Sequence, residues 1–147
     1  MRLINAAYRV EDVFLDGDRT NPADLAVRLS RPNAAILVIE GGRKGRLAGA
    51  VYMEVRGSRG YFGLLAVDPQ RQGEGLGRLL VQAVERHCRT AGCTDLDLDT
   101  VNLREELPAF YTRLGFTRVG TAPFHPSRPP RREAHLILWT KTLRVPA

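Results

Sequence analysis

Between residues 95 and 101 the chain alternates strictly, Leu96 and Leu98 against Asp95, Asp97 and Asp99. That is the pattern of a strand with one apolar and one polar face. Just upstream, Leu76, Leu79, Leu80, Ala83, Val84, His87 and Cys88 recur at the 3.6-residue period until Gly92, which predicts a helix closed by a glycine cap. "AAILVIEG", "RLAGAVYMEVRG" and "GYFGLLAVDP" are short strand-like runs divided by Gly-rich turns, and together they predict an antiparallel meander. At the start, Leu3, Ala6, Ala7, Val10 and Phe14 stand at helical spacing before "LDGDRTNP" breaks the pattern. Asn21 as cap and Pro22 at the first helical position open a second helix, "NPADLAVRLSR", ended by Pro32 and Asn33. "REELPAFYTRLG" predicts a short helix ending at Gly115, and "FTRVGT" and "EAHLILWTKTL" predict the last strands, joined by the long loop "APFHPSRPPRR".

The order is therefore helix, helix, three strands, helix, strand, helix, two strands, an α/β arrangement with one mixed sheet. The step from "GYFGLLAVDP" through a helix to "TDLDLDTV" makes those two strands parallel, because a crossover helix returns the chain in the same direction.

Composition narrows the class without choosing a function. At 147 residues, 44% hydrophobic and 26% charged, the chain suits one soluble domain, taken here as residues 1–147. No apolar run approaches the roughly 18 residues of a membrane span, and the start has no leader-type apolar core; a cytoplasmic protein without membrane attachment is expected. Cys88 and Cys93 are the only cysteines and are not spaced C-x-x-C, so no zinc site or disulfide framework is expected, only two half-buried structural thiols. The net charge of +6 attracts polyanions in general. Its one cluster, Arg128, Arg131 and Arg132, is interleaved with prolines and has no aromatic neighbours, which argues against nucleic acid and for a solvated loop.

The chemistry gathers at "QGEGLG", residues 72–77. Helix N-termini expose unpaired N–H groups and a positive dipole end, and glycines let a phosphate reach them. A P-loop would need Lys-Ser or Lys-Thr after the glycines, and none follows. A dinucleotide fingerprint would need Gly or Ala where Arg78 stands. The pattern Q-x-x-G-x-G, read as Gln72, Gly75 and Gly77, fits without exception.

With "LLAVDPQRQGEGLGRLL" and then "NLREELPAFYTRLGF" in that order, the chain resembles the GNAT superfamily of acyl-CoA-dependent N-acetyltransferases, over about residues 34–142. The resemblance implies a mostly antiparallel sheet with one splayed parallel pair, helices on both faces, and acetyl-CoA as cosubstrate with no metal. It implies that the main chain of Leu65, Ala66 and Val67 pairs with the pantetheine arm, and that Gln72, Gly73, Glu74, Gly75, Leu76, Gly77 and Arg78 hold the diphosphate. Asn102 would meet the pantetheine, and Phe110 and Tyr111 would line the thioester end, Tyr111 protonating the departing thiolate. Some relatives carry a basic Glu where this chain has Tyr61; the position that other relatives use is Asp97 here, with Glu54 and then a water relay as the next choices for the base.

The acceptor is expected to be a small-molecule or peptide amine, met by Phe14, Arg19, Phe124 and His125, with Asp16, Asp18 and Arg128 nearby. Relatives also have a strand ahead of the first helix, whereas this chain begins inside that helix, so the expectation is either a sheet without its first edge strand or a truncated start; a second copy of the chain covering a bared edge, as a homodimer, is the expectation that goes with the former. An acyl-CoA-binding regulatory or scaffold domain and a basic nucleic-acid-binding module are the alternatives.

Overall fold

The computed structural model describes residues 22–41, 47–124 and 134–143. The helix expected over residues 3–14, and the question of a strand before it, lie outside these residues. Helix α1 (Pro22–Leu29) starts on a proline, whose absent N–H costs nothing in a first turn. Strands β1 (Ala34–Ile39), β2 (Gly49–Arg56) and β3 (Arg59–Val67) form the meander. A 3₁₀ turn (Pro69–Arg71) leads to helix α2 (Leu76–Thr90), strand β4 (Asp95–Val101), helix α3 (Leu107–Arg113), and strands β5 (Thr117–Pro123) and β6 (His135–Thr142). One six-stranded sheet results, in the order β1-β2-β3-β4-β6-β5. Among the described residues only β3 and β4 are parallel; every other neighbouring pair is antiparallel.

Helix α3 is shorter than the expected residues 104–115. Pro108 has no N–H to give an interior hydrogen bond and is tolerated only in a first turn, so the helix starts immediately before it and Arg104–Glu106 make a turn instead. The thiols also differ from expectation: Cys88 and Cys93 are both fully buried rather than half-buried.

Alternation sorts the side chains into two layers. Val51, Met53, Phe62, Leu96, Leu98 and Trp139 face α2 and α3, where Val81, Val84, Tyr111 and Phe116 complete the main core. Tyr52, Leu64 and Ala66, with Ile36 and Tyr61, form a smaller cluster on the opposite face, where the Tyr52 hydroxyl shares its proton between the Glu54 carboxylate and the Arg28 carbonyl of α1, the latter at 3.0 Å.

One irregularity decides where the site lies. Ala50 pairs with Ala66 but Tyr52 pairs with Gly63, so β3 carries one residue more than β2 there, and Leu64 sits at φ +53°. Such a bulge bends its strand and shifts the alternation by one. Leu64, which alternation from Phe62 would send to the main core, joins the opposite layer, and Leu65 and Val67 turn to the α2 side.

Candidate active site

The parallel pairing of β3 with β4 is short. It runs through Arg59↔Asp95, Gly60↔Leu96 and Tyr61↔Asp97, and the register goes no further, while β3 stays with β2 to Val67 and β4 stays with β6 to Val101. Beyond Tyr61 and Asp97 the two strands therefore diverge and leave a cleft through the sheet. Arg59 clamps the closed end: its guanidinium donates to both Asp97 oxygens at 2.7 Å and to the Thr140 hydroxyl at 3.1 Å, and lies 3.4 Å from Asp95.

The chain leaves β3 through a braced turn. Asp68 Oδ1 accepts from the Gln70 amide at 3.0 Å, and Arg71 reaches the Gly41 carbonyl at 2.8 Å while pairing with Glu74 at 3.0 Å. Gly73 and Gly75 then adopt φ +88° and +80°, left-handed values that favour glycine. Gly75 caps α2 with no side chain bonded to the helix's first amides. A Cβ at either glycine would meet nothing within 4 Å, so the ground in front of these amides is open to a ligand.

That ground is the floor of a cavity of about 260 Å³, lined by Leu65, Val67, Gln72, Gly73, Gly75, Leu76, Gly77, Arg78, Phe110 and Tyr111 from the expected set, and by Arg104 and Leu107 outside it. Amides at a helix start, two arginines and an apolar wall suit a diphosphate joined to a less polar arm. A second, narrower cavity of about 50 Å³ fills the split between β3 and β4 and shares Leu65, Leu107 and Tyr111 with the first. Tyr111 thus stands where cradle and cleft meet. It is buried among the rings of Phe62, Phe110, Phe116 and Trp139, whose centroids lie 5.0–6.4 Å away.

Other expected residues are placed differently. The Ala66 side chain points into the layer away from the cradle, leaving only its main chain on the β3 edge. The Glu74 carboxylate is taken by Arg71. Asn102 Oδ1 accepts from the His135 amide at 2.8 Å, and its own amide donates to the His135 carbonyl, so it extends the β4–β6 ladder. Phe124 packs with Val101 and Leu136, both of which line the cleft. Phe14, Asp16, Asp18, Arg19, His125 and Arg128 lie outside the described residues.

The two expected bases are both engaged by arginines. Burial would raise the Asp97 carboxyl, but the hydrogen bonds from Arg59 and Thr140 hold it below the usual carboxylate range. Glu54 is nearly inaccessible; burial is again outweighed, here by the Tyr52 hydroxyl at 2.5 Å and by Arg56, and its carboxyl too is held low. Neither borders the two cavities, whereas Asp99, Tyr61 and Arg28, which stood outside the expected set, border the cleft. Among the described residues there is no group of three or more His, Cys, Asp or Glu able to hold a metal, and no helix long and apolar enough to cross a membrane.

The family model of the acetyltransferase (GNAT) family matches residues 3–116. A mycothiol acetyltransferase of Kineococcus radiotolerans is 37% identical over 109 residues, 72% of this chain and 35% of that protein. One from Propionibacterium freudenreichii subsp. shermanii is 36% identical over 78 residues, 52% of this chain and 25% of its own length. The chain thus spans about a third or less of the curated relatives it matches. Among solved structures, the ribosomal-protein-S18-alanine N-acetyltransferase from Escherichia coli shares the fold with a TM-score of 0.71 at 19% identity, covering 98% of this chain and 90% of that one.

Proposed function

The chain belongs to the acetyltransferase (GNAT) family, and on that premise we propose that it moves the acetyl group of acetyl-CoA to a primary amine by direct attack. One observation carries the reading: the glycine-floored cradle at the start of α2 opens into the split between β3 and β4, with Tyr111 at the junction. In this reading the amides from Gly73 to Arg78 hold the diphosphate, with Arg78 and Arg104 supplying countercharge. The pantetheine arm lies along the bulged edge of β3 at Leu65 to Val67, in the manner of an added strand. Acetyl-CoA supplies an activated carbonyl on a thiol leaving group.

What this chain adds is position and protons. Main-chain N–H groups on the β3 edge face the carbonyl oxygen as negative charge develops there. Tyr111 gives its hydroxyl proton to the departing sulfur. A thiol of pKa about 8.5, by analogy with cysteine, already leaves tolerably well, so this assistance accelerates turnover without being indispensable. The acceptor enters from the α1 face, and its class is a small-molecule or peptide amine.

The test is thiol release from acetyl-CoA against spermidine, alanine and an alanine-led hexapeptide. Release that depends on one of these amines is expected. Acetyl-CoA binding without thiol release across a broad amine panel would make this a binding or scaffold domain. DNA affinity that falls steeply with salt, and no affinity for acetyl-CoA, would make it a nucleic-acid module.

A further inference from the structure

The cleft pierces the sheet, and its two mouths carry different chemistry. On the side of α2 and α3 stand Tyr111, Phe62 and Leu98; on the side of α1 stand Arg28, Tyr61 and Asp99. We propose that the Arg28 guanidinium holds a carboxylate carried by the acceptor, so that the substrate class is a free amino acid or a similar small amino-carboxylate. The inference rests on the acetyltransferase reading and names the substrate class within it.

Three observations converge on Arg28. The first is charge. Among the described residues three arginines line the two cavities, Arg78 and Arg104 in the cradle and Arg28 in the cleft. Arg104 is paired with Glu106 at 2.7 Å, but neither Arg78 nor Arg28 forms an ion pair with a described carboxylate. Glu54, which binds the Tyr52 hydroxyl beside Arg28, pairs with Arg31 and Arg56 instead. A half-buried guanidinium in a cleft wall without a countercharge is completed by an anionic ligand. In the cradle that anion is the diphosphate; in the cleft it is one that the acceptor brings.

The second observation is preparation. The Tyr52 hydroxyl ties the main chain of Arg28 to the sheet, and the guanidinium lies 5.4 Å from the centroid of the same ring, within the range of a cation–π contact. One buried tyrosine thus sets both the backbone and the head group, so less freedom is lost when a ligand binds. The third is room. Tyr52 pairs in register with Gly63 of β3, which lines the cleft. A Cβ on Gly63 would come within 3.1 Å of the Tyr61 hydroxyl, so glycine keeps the ground beside Tyr52 and Tyr61 open on the face where Arg28 stands.

The same walls select among acceptor classes. A polyamine would bring more positive charge to Arg28, and like charges repel. In a peptide the first residue's carboxylate has become an amide, which cannot take a guanidinium fork as a carboxylate does. Asp99 stands across the mouth on β4 and accepts from Tyr61 at 3.4 Å; it repels a bare anion and suits one that also carries an amine. Because Arg28 and Tyr111 border one cleft from opposite faces of the sheet, an acceptor anchored at Arg28 sends its amine through the split toward the thioester end.

Alanine, glutamate and lysine should each be compared with the matching α-amide in thiol-release assays, beside spermidine and an alanine-led hexapeptide free of acidic side chains. The proteins are the parent, Arg28→Gln, Arg28→Lys and Arg31→Gln, with thermal melts and acetyl-CoA titrations to establish folding and cosubstrate binding. The parent should prefer at least one amino acid to its amide by about 10- to 100-fold in kcat/KM. That preference runs against basicity, since the amide's amine is less basic and arrives neutral more often. Arg28→Gln should raise KM for the amino acid at nearly parental kcat and bring acid and amide to similar kcat/KM. Arg28→Lys, which keeps the charge without the fork, should retain part of the preference. Arg31→Gln removes the same charge three residues on and should retain all of it. A folded Arg28→Gln with the parental preference overturns the assignment, and so does an equal loss in Arg31→Gln. Should Arg28→Gln not fold, the parent's own ratio decides, and acid and amide used equally well overturn the proposal. A parent that acetylates spermidine or the hexapeptide as readily as any amino acid also overturns it while leaving the acetyltransferase reading in place. A parent that turns over no amine removes that reading itself, and this assignment with it.

Discussion

Two residues carry most of what the site needs at the scale of single side chains, and each does so through a different kind of constraint. Gly75 combines φ +80° with open space where a Cβ would stand. Valine there is strained by about 1–2 kcal/mol and pushes a branched carbon into the space before the first amides of α2. Gly75→Val should therefore bind CoA at least tenfold more weakly, about 1.4 kcal/mol, in calorimetry on the folded fraction. Gly77 is a different case: its added Cβ would lie 3.4 Å from Phe110 Cζ, against the wall of the cradle and not in its open ground. Tyr111 is constrained by its surroundings. Four aromatic rings fix the phenol, and Tyr111→Phe keeps that packing while removing the proton. Its kcat should fall with acetyl-CoA affinity close to the parent's; an unchanged kcat under conditions where chemistry limits turnover would leave Tyr111 a packing residue.

At the scale of elements, the cradle and Tyr111 belong to different helices that must be held in register. Lys141 of β6 does this: its Nζ donates at 2.8 Å to the buried Glu85 of α2 and at 2.7 Å to the Leu114 carbonyl at the end of α3. Arg89 is the other partner of Glu85, at 3.4 Å. Removing Lys141 leaves a carboxylate in the core layer with one longer contact and takes the donor from the α3 terminus, so Lys141→Met should destabilise by about 1–3 kcal/mol in urea unfolding. Nothing in the spacing of Glu85, Leu114 and Lys141 along the chain announces this three-way junction. The elements themselves were legible, because strict alternation at Asp95–Val101 and the 3.6 period at Leu76–Thr90 are local signals. Where β3 and β4 part was not. The acidic stripe reads as three equivalent carboxylates, and only the bulge at Leu64 and the end of pairing at Tyr61↔Asp97 separate Asp99 from Asp97. The same holds for Arg104, which comes to the cradle because Pro108 starts α3 late and leaves a turn there.

At the scale of the whole molecule, the stability of the fold is bounded by buried and half-buried groups that titrate at opposite ends of the pH range. Glu54 and Asp97 are both held below their ordinary values of 4.5 and 3.8: burial alone would raise them, and hydrogen bonds from Tyr52 and Arg56, or from Arg59 and Thr140, outweigh it. The folded protein thus binds these protons less readily than the unfolded chain. The stability they contribute is present above about pH 5 and is lost as the pH falls through those lower values. Cys88 behaves in the opposite sense. Burial first, and the neighbouring Cys93 second, push its thiol from 9.0 up to about 12, and burial together with Glu54 raises the Tyr52 phenol. Here the folded protein holds the proton more tightly, so stability is full below the unfolded thiol's value and is lost as the pH climbs toward 12. The urea midpoint should accordingly form a plateau between about pH 5 and pH 9, with a limb on each side. Arg59→Met should flatten the acid limb by releasing Asp97. Cys88→Ala should lower the plateau, because Cys88 packs tightly enough that a Cβ on Gly60 would come within 2.4 Å of its sulfur, yet it should flatten the alkaline limb, since the group that ionises there is gone. An alkaline limb as steep in Cys88→Ala as in the parent would show that unfolding at high pH is driven from elsewhere, with Tyr52→Phe the next variant to measure.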